Sequence, residues 1–284
     1  MNNRQTVFIP KQPFMVELAD VYYTFKFGKL GISSFYFFKA GDDVSIIDTS
    51  IPDGCIDIIF HYKNGSEETG ADFYGTALLP HSMKCYKGCY HFGVRFLPGV
   101  VPAFTDLKMI NIIDRIIPFE EVSKDKQLPY RIASQSGFEN QIKLFIAEYC
   151  RFYNGSSEKL GQMIIAEIVN SYGTIRIEEL SQKTGYSISY LEKIFNNDIG
   201  ISPKKFCSII RFQWLLNCIN SRNTVGATAA SMDCRGLANN LGYFDQAHMI
   251  HEFKKYSTRT PSDYIHELHK VNYNSRLKIL KENI

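Results

Sequence analysis

Up to about Asp106 the apolar residues come in short aromatic and β-branched runs, such as Val21-Tyr22-Tyr23-Thr24-Phe25 and Cys55-Ile56-Asp57-Ile58-Ile59-Phe60. Between them lie turn-forming clusters such as Ala40-Gly41-Asp42-Asp43 and Lys63-Asn64-Gly65-Ser66. This rhythm predicts strands joined by hairpins, in an antiparallel sandwich or barrel. After Leu107 the spacing turns helical, and Phe138 to Tyr153 places Ile142, Phe145, Ile146, Tyr149 and Phe152 on one stripe. That stripe either packs on its own sheet or pairs with a second copy of the chain, a common route to twofold dimers. Asn154-Gly155-Ser156-Ser157 reads as a linker with Ser157 as a helix N-cap. From Glu158 to Lys270 the period is helical almost throughout. The chain is therefore expected to be α+β with two domains: residues 1–154 β-rich, residues 155–272 all-α, and residues 273–284 a tail.

The strongest pattern is an internal repeat in the helical part. Leu180-Ser181 leads to Gly185-Tyr186, a capping Ser187, Leu191, Ile194, Phe195, Pro203 and Phe206. Leu237-Ala238 leads to Gly242-Tyr243, a capping Asp245, Met249, Phe253, Pro261 and Tyr264. In both copies the Leu precedes the Gly by five residues, the second anchor precedes the Pro by eight, and an aromatic follows the Pro by three. Each part has a mechanical reason. The Gly tolerates the left-handed backbone of a tight inter-helix turn, and the Ser or Asp caps the next helix. The apolar anchors hold one side of that helix and leave the other free. This is a helix-turn-helix pattern, whose second helix lies in a major groove with its N-terminal residues at the base edges. A three-helix unit can also be plain packing, but two matched copies weigh for the groove reading. The outward residues are Ser189, Glu192, Lys193 and Asn196 in the first unit, and Gln246, Ala247, His248, Ile250 and His251 in the second. Lys254 and Lys255 fall where phosphates would lie. Pro203 to about Asn220 reads as one largely buried helix that fixes the distance between the units, so that they could enter successive grooves about 34 Å apart.

Composition adds little beyond this. The 284 residues are 45% hydrophobic and 14% aromatic, enough for two cores. From Ser157 onward Lys and Arg outnumber Asp and Glu 16 to 12, while the first part stands at 16 to 17, so the excess positive charge lies where phosphates would be met. Seven irregularly spaced cysteines do not resemble a secreted disulfide framework. With neither a signal core nor an apolar run near the roughly 20 residues of a membrane helix, a soluble cytoplasmic protein is expected.

Over roughly Glu158 to His269 the sequence resembles the AraC/XylS family of transcription regulators. IEELSQKTGYSISYLEKIFNNDIGISPKKF is similar to that family's first helix-turn-helix unit, and LANNLGYFDQAHMIHEFKKYSTRTPSDYI to its more diagnostic second. The resemblance implies a regulator bound to double-stranded DNA. Ser189, Glu192 and Lys193 would face one half-site, Gln246, Ala247, Ile250 and His251 the other, and Arg211 would be an anchor on the connecting helix. It also implies a small cupin-like barrel in the first half, a small-molecule effector there in some members, and contact with RNA polymerase if the protein activates. No cofactor is implied. Two positions depart from the pattern: Thr258 stands where the family usually has Gly, and Asn223 to Met232 is longer and richer in Ala and Gly than the usual connection.

The first half carries the rival chemistry. His81, Cys85, Cys89 and His91 are odd-numbered and close in sequence, so strand alternation could gather them as soft-metal ligands. That would suit a metal-dependent cupin-type enzyme or a redox or metal sensor with an appended helical domain, whereas cysteines are commonly small buried hydrophobes. Tyr22, Tyr23 and Phe35 to Phe38 could line an apolar pocket, with Tyr22 and Tyr36 as polar handles and Arg95 or His61 orienting an anionic effector. Such aromatics more often form core. There is no nucleophile triad, phosphate loop or paired-carboxylate motif, so the sequence does not read as an enzyme.

Overall fold

The computed structural model describes residues 10–41, 48–64, 68–153, 160–223 and 234–280. The linker Asn154–Ser157, the turn residues Asp42, Asp43, Gly65 and Ser66, and most of Asn223–Met232 lie outside them.

The strand-forming runs become β1 (Tyr22–Lys29), β2 (Ile32–Lys39), β3 (Asp48–Ser50), β4 (Ile56–Tyr62), β5 (Thr69–Tyr74), β6 (His81–Ser82), β7 (Tyr90–Phe96), β8 (Ile116–Pro118) and β9 (Leu277–Leu280). Seven of them form one sheet in the order β8-β5-β4-β7-β2-β1-β9, and β3 and β6 form a separate antiparallel pair. Alternation divides the sheet's side chains cleanly, because successive residues point to opposite faces. On one face Phe25, Phe35, Phe60, Phe73 and Phe92 join a core with α2 (Phe119–Val122), α3 (Leu128–Ala133) and α4 (Phe138–Cys150). On the other, Tyr22, Tyr36, Phe38, Ile59 and Tyr74 belong to a core continuous with the helical domain. With both faces covered, β2 is buried along most of its length, which is why ISSFYFFK lacks a polar alternation.

The α4 stripe packs on its own sheet. Phe145 meets Phe35, Phe60 and Phe104, and Tyr149 meets Phe96 and Phe104. Ile142, Phe145 and Tyr149 are at most 1% exposed. That face is therefore not free for a second copy, and the self-association reading of the stripe does not hold.

The helical domain contains α5 (Leu160–Asn170), α6 (Ile177–Thr184), α7 (Ile188–Ile199), α8 (Pro203–Asn223), α9 (Cys234–Asn240), α10 (Gln246–Ser257), α11 (Pro261–Lys270) and α12 (Tyr273–Arg276); α1 (Pro13–Val16) belongs to the N-terminal part. The tail expected from the sequence does not hang free. Leu277–Leu280 returns to the first domain as β9 and pairs in parallel with β1, with Tyr22 opposite Leu277 and Phe25 opposite Leu280. Arg276 Nη1 donates to the carbonyls of Glu17 and Ala19 beside it.

Further ties join the halves. Gln213, fully buried on α8, accepts from the Lys11 amide at 2.7 Å and donates to the Pro52 carbonyl at 2.8 Å. Lys205 Nζ donates to the Leu78 carbonyl, and Arg259 lies 4.4 Å over the Phe14 ring with Glu17 as its ion partner. Phe14 in turn packs edge-on to Tyr264.

The duplication persists at the helix ends. Gly200 and Thr258 both sit thirteen residues after their unit's N-cap and both are left-handed, at φ 82° and 63°. A β-branched residue pays for that conformation, about 1–2 kcal/mol. Thr258 is exposed. Thr258→Gly is thus expected to raise stability by about 0.5–1 kcal/mol after glycine's larger unfolded-state freedom is subtracted, readable as a higher denaturant midpoint; an unchanged or lower midpoint would refute the strain.

Candidate nucleic-acid interface

In the first unit α6 ends at Gly185 in the left-handed region (φ 74°), its amide bonded to the Ser181 carbonyl. Ser187 then caps α7 by accepting from the Tyr190 amide. Leu191, Phe195 and Ile199 are fully buried, whereas Ser189, Glu192 and Lys193 are exposed and Asn196 is half-buried. In the second unit the chain turns at Gly242 (φ 65°), the Tyr243 amide bonds back to the Ala238 carbonyl, and Asp245 caps α10 by accepting from the His248 amide at 2.7 Å. Met249 and Phe253 are fully buried; Gln246, Ala247, His248, His251, Lys254 and Lys255 are exposed, and Ile250 is half-buried. The outward faces read from the sequence thus face solvent except at Asn196 and Ile250, the latter packed in part against the core.

Between the units, α8 buries Phe206, Ile209, Ile210, Phe212, Leu215, Leu216 and Ile219 to 1% exposure or less. Phe206 lies against Phe195 of α7, and Phe212 against Phe253 and Tyr256 of α10, so the one helix is the floor of both units. Arg211 is half-buried. Its guanidinium pairs with Glu252 at 3.3 Å and lies 4.8 Å over the Tyr243 ring, which ties α8 to α10 and to the turn before it. Lys205 and Lys255 both lie over the Tyr256 ring, and burial together with Lys255 holds the Lys205 ammonium below the usual lysine range. The two form a small positive spot at the base of the second unit.

A domain of unknown function, DUF6597, matches residues 32–118. No curated protein matches. Among solved structures, the C-terminal domain of AraT, a response regulator from Geobacillus stearothermophilus, is similar at 17% identity and a TM-score of 0.34, over 45% of this chain and 94% of that one. An apo ToxT variant from Vibrio cholerae is similar at 10% identity and a TM-score of 0.44, over 83% and 97% of the two chains. ToxT from the same organism with an unsaturated fatty acid bound is similar at 11% identity and a TM-score of 0.42, over 81% and 93%.

In the first domain Tyr22, Tyr36 and Arg95 come together, and His61 does not join them. The three line a cavity of about 60 Å³ with Lys11, Thr24, Lys26 and Ser34, closed from the other side by Tyr273, Leu277 and Ile279. Sequence reasoning missed these last three, because nothing local shows that the tail reaches this sheet. Arg95 is 4% exposed and bound to Asp57 through Nε at 2.8 Å and Nη2 at 2.5 Å, with Asp53 at 3.6 Å. Burial pushes the Asp57 carboxyl above its usual range even beside that guanidinium. Arg95's charge is thus neutralised by two carboxylates, whereas Lys11 and Lys26 bring further positive charge to the cavity lining. Gln12 completes the cluster by donating to Asp53.

His61 stacks on Tyr86 at 3.8 Å and stands 4.0 Å from Asp72, which also receives Lys84 Nζ and the Tyr86 hydroxyl. The rival ligand set is dispersed in its bonding. Both ring nitrogens of His91 are engaged, Nδ1 with the Cys89 carbonyl and Nε2 with the Tyr86 amide, and burial, with His61 nearby, brings its pKa down to about 4. Cys89 is buried and Cys85 half-buried, both as free thiols. Among the described residues no three His, Cys, Asp or Glu side chains are grouped to hold a metal ion. Nor is any described helix long and apolar enough to cross a membrane.

Proposed function

We propose that this chain is a sequence-specific, double-stranded-DNA-binding transcription regulator of the AraC/XylS kind that acts in the cytoplasm without enzymatic activity. The observation that carries this reading is the pair of matched, capped helices α7 and α10 on one buried connecting helix, each with its base-reading side open. Ser189, Glu192 and Lys193 read one major groove and Gln246, Ala247, His248, Ile250 and His251 the next, with Asn196 at the margin. Lys254 and Lys255 neutralise phosphates, and Arg211 acts through Glu252 to hold α10 at its angle.

A small-molecule effector belongs to the same proposal, seated where Tyr22, Tyr36 and Arg95 meet the returning tail. Both halves wall that cavity, so anything that widens it acts on the second unit through α12 and β9. Its lining sets the hydroxyls of Tyr22, Thr24, Ser34 and Tyr36 beside the cationic Lys11 and Lys26, which suits a hydroxyl-bearing or anionic group. Contact with RNA polymerase goes with an activating role.

The test is a binding selection from random duplexes, followed by titration of variants on the selected and on unrelated DNA. Gln246→Ala and Lys193→Ala are each expected to lose about 1–3 kcal/mol on the selected site and to relax preference at one position. Lys254→Ala and Lys255→Ala should weaken binding to all duplexes alike and lower the salt slope by about one each. Equal loss on selected and unrelated DNA for Gln246→Ala would contradict the assignment of α10 as a base reader.

A further inference from the structure

When the two units are aligned on their N-caps, Ser187 and Asp245, an aromatic residue stands immediately before the cap in each, Tyr186 and Phe244. An apolar residue there usually folds down on the fourth helical position and fixes how the chain enters the helix. Here those positions are Leu191 and Met249, both fully buried, while Phe244 is 90% exposed and Tyr186 45%. Phe244 is therefore not packing. The backbone around it is held all the same. Gly242 makes the turn, Tyr243 is buried beneath the Arg211 guanidinium, the Phe244 amide reaches His248 Nδ1 at 3.4 Å, and Asp245 caps α10.

The second unit has one residue more between its Gly and its cap than the first. That extra residue separates two jobs: Tyr243 fills the core and Phe244 is displayed. In the first unit Tyr186 is also displayed, resting on Tyr190 at 5.1 Å. Ile188 and Ala247, exposed in the first turns of α7 and α10, extend each aromatic into a small apolar strip.

We propose that Phe244, with Tyr186 at the equivalent place, reads thymine by packing against its C5-methyl group at the rim of each major groove. The inference rests on the DNA-binding reading above and deepens it. The N-terminal end of a recognition helix points at base edges, and the thymine methyl is the apolar feature that a major groove presents among polar edges and charged phosphates. A displayed phenyl ring matches that feature better than it matches the polar base edges around it. The two aromatics thus specify thymine at two positions about one helical turn apart.

The experiment uses the full chain and the duplex recovered by selection, with each thymine replaced singly by deoxyuridine, which lacks only the methyl group. Wild-type protein is expected to lose about four-fold in affinity at one thymine of the second half-site, the worth of one methyl-sized group taken out of water. Phe244→Ala should lose the same factor on the thymine duplex, show no further loss on the deoxyuridine duplex, and keep the wild-type melting temperature. Tyr186→Ala should behave likewise at a thymine of the first half-site. Methyl-insensitive binding at every position, or a deoxyuridine penalty that survives in Phe244→Ala, overturns the assignment while leaving sequence-specific binding intact. Failure to select any duplex overturns the DNA-binding reading itself, and this inference with it.

Discussion

Arg95→Ala is expected to cost about 3–5 kcal/mol of folding stability at neutral pH, because it strands buried carboxylates without their cation. Asp57 and Asp53 share one guanidinium, and Asp53 also holds the Cys55 amide and Gln12. Burial already raises Asp57 in the intact protein, and removing the guanidinium raises it further. A carboxyl whose pKa is higher folded than unfolded loses stability as pH rises through that interval and regains it as pH falls. The deficit of Arg95→Ala should accordingly shrink as pH is lowered from 7 toward 5, measured by urea unfolding of variant and wild type at each pH. Arg95→Ala combined with Asp57→Asn should recover part of the loss at pH 7. A deficit that is the same at both pH values would show that the cost is lost packing and not stranded charge.

Phe206→Ala is expected to cost a similar 3–5 kcal/mol, the range for emptying a buried aromatic site, and its effect should cross the domain boundary. The ring is fully buried against Phe195, and a β-carbon placed on Gly54 would lie 2.6 Å from its edge, so first-domain backbone is seated directly on this side chain. One residue thus fills the space where α7, α8 and the sheet's loop meet. Trp214, the only tryptophan, lies on α8 against Tyr172 and reports on the helical domain, whereas far-ultraviolet circular dichroism reports on the whole chain. The two unfolding curves should coincide in the wild type and separate in Phe206→Ala, with the tryptophan transition first. Coincident curves in the variant would mean that the domains are not coupled through this site.

The features that the sequence made legible are those set by local rules. Caps, left-handed turns and buried anchors recur at fixed offsets, so Ser187, Asp245, Gly185, Gly242, Leu191, Phe195, Met249 and Phe253 can be placed from the sequence alone. The α+β class and the strand runs followed from periods of two and 3.6. What was hidden is non-local or decided by a single residue. The Arg95–Asp57 pair spans 38 residues and joins neighbouring strands, which no spacing rule anticipates. His61 lies on the same strand as Asp57 but four residues farther on, roughly 13 Å at the rise of a strand, and so falls to a different cluster. Tyr243 and Phe244 are adjacent aromatics, and only the length of their turn decides which one is buried. Gln213 falls on the buried side of its helix by spacing, but its carbonyl partners, Lys11 and Pro52, lie 202 and 161 residues away in the first domain.

Because β9 lies at the edge of the sheet, β1 acquires its outer neighbour only after the helical domain between them has been made. Roughly 250 residues separate the two strands, which at about 5–20 residues per second of synthesis is an interval of some 12–50 seconds. Throughout it the amides and carbonyls along that margin are open to pairing with any other extended chain. Translation that stalls within the helical half should therefore leave nascent chains prone to aggregate through β1, and emergence of β9 removes the hazard by supplying the missing strand.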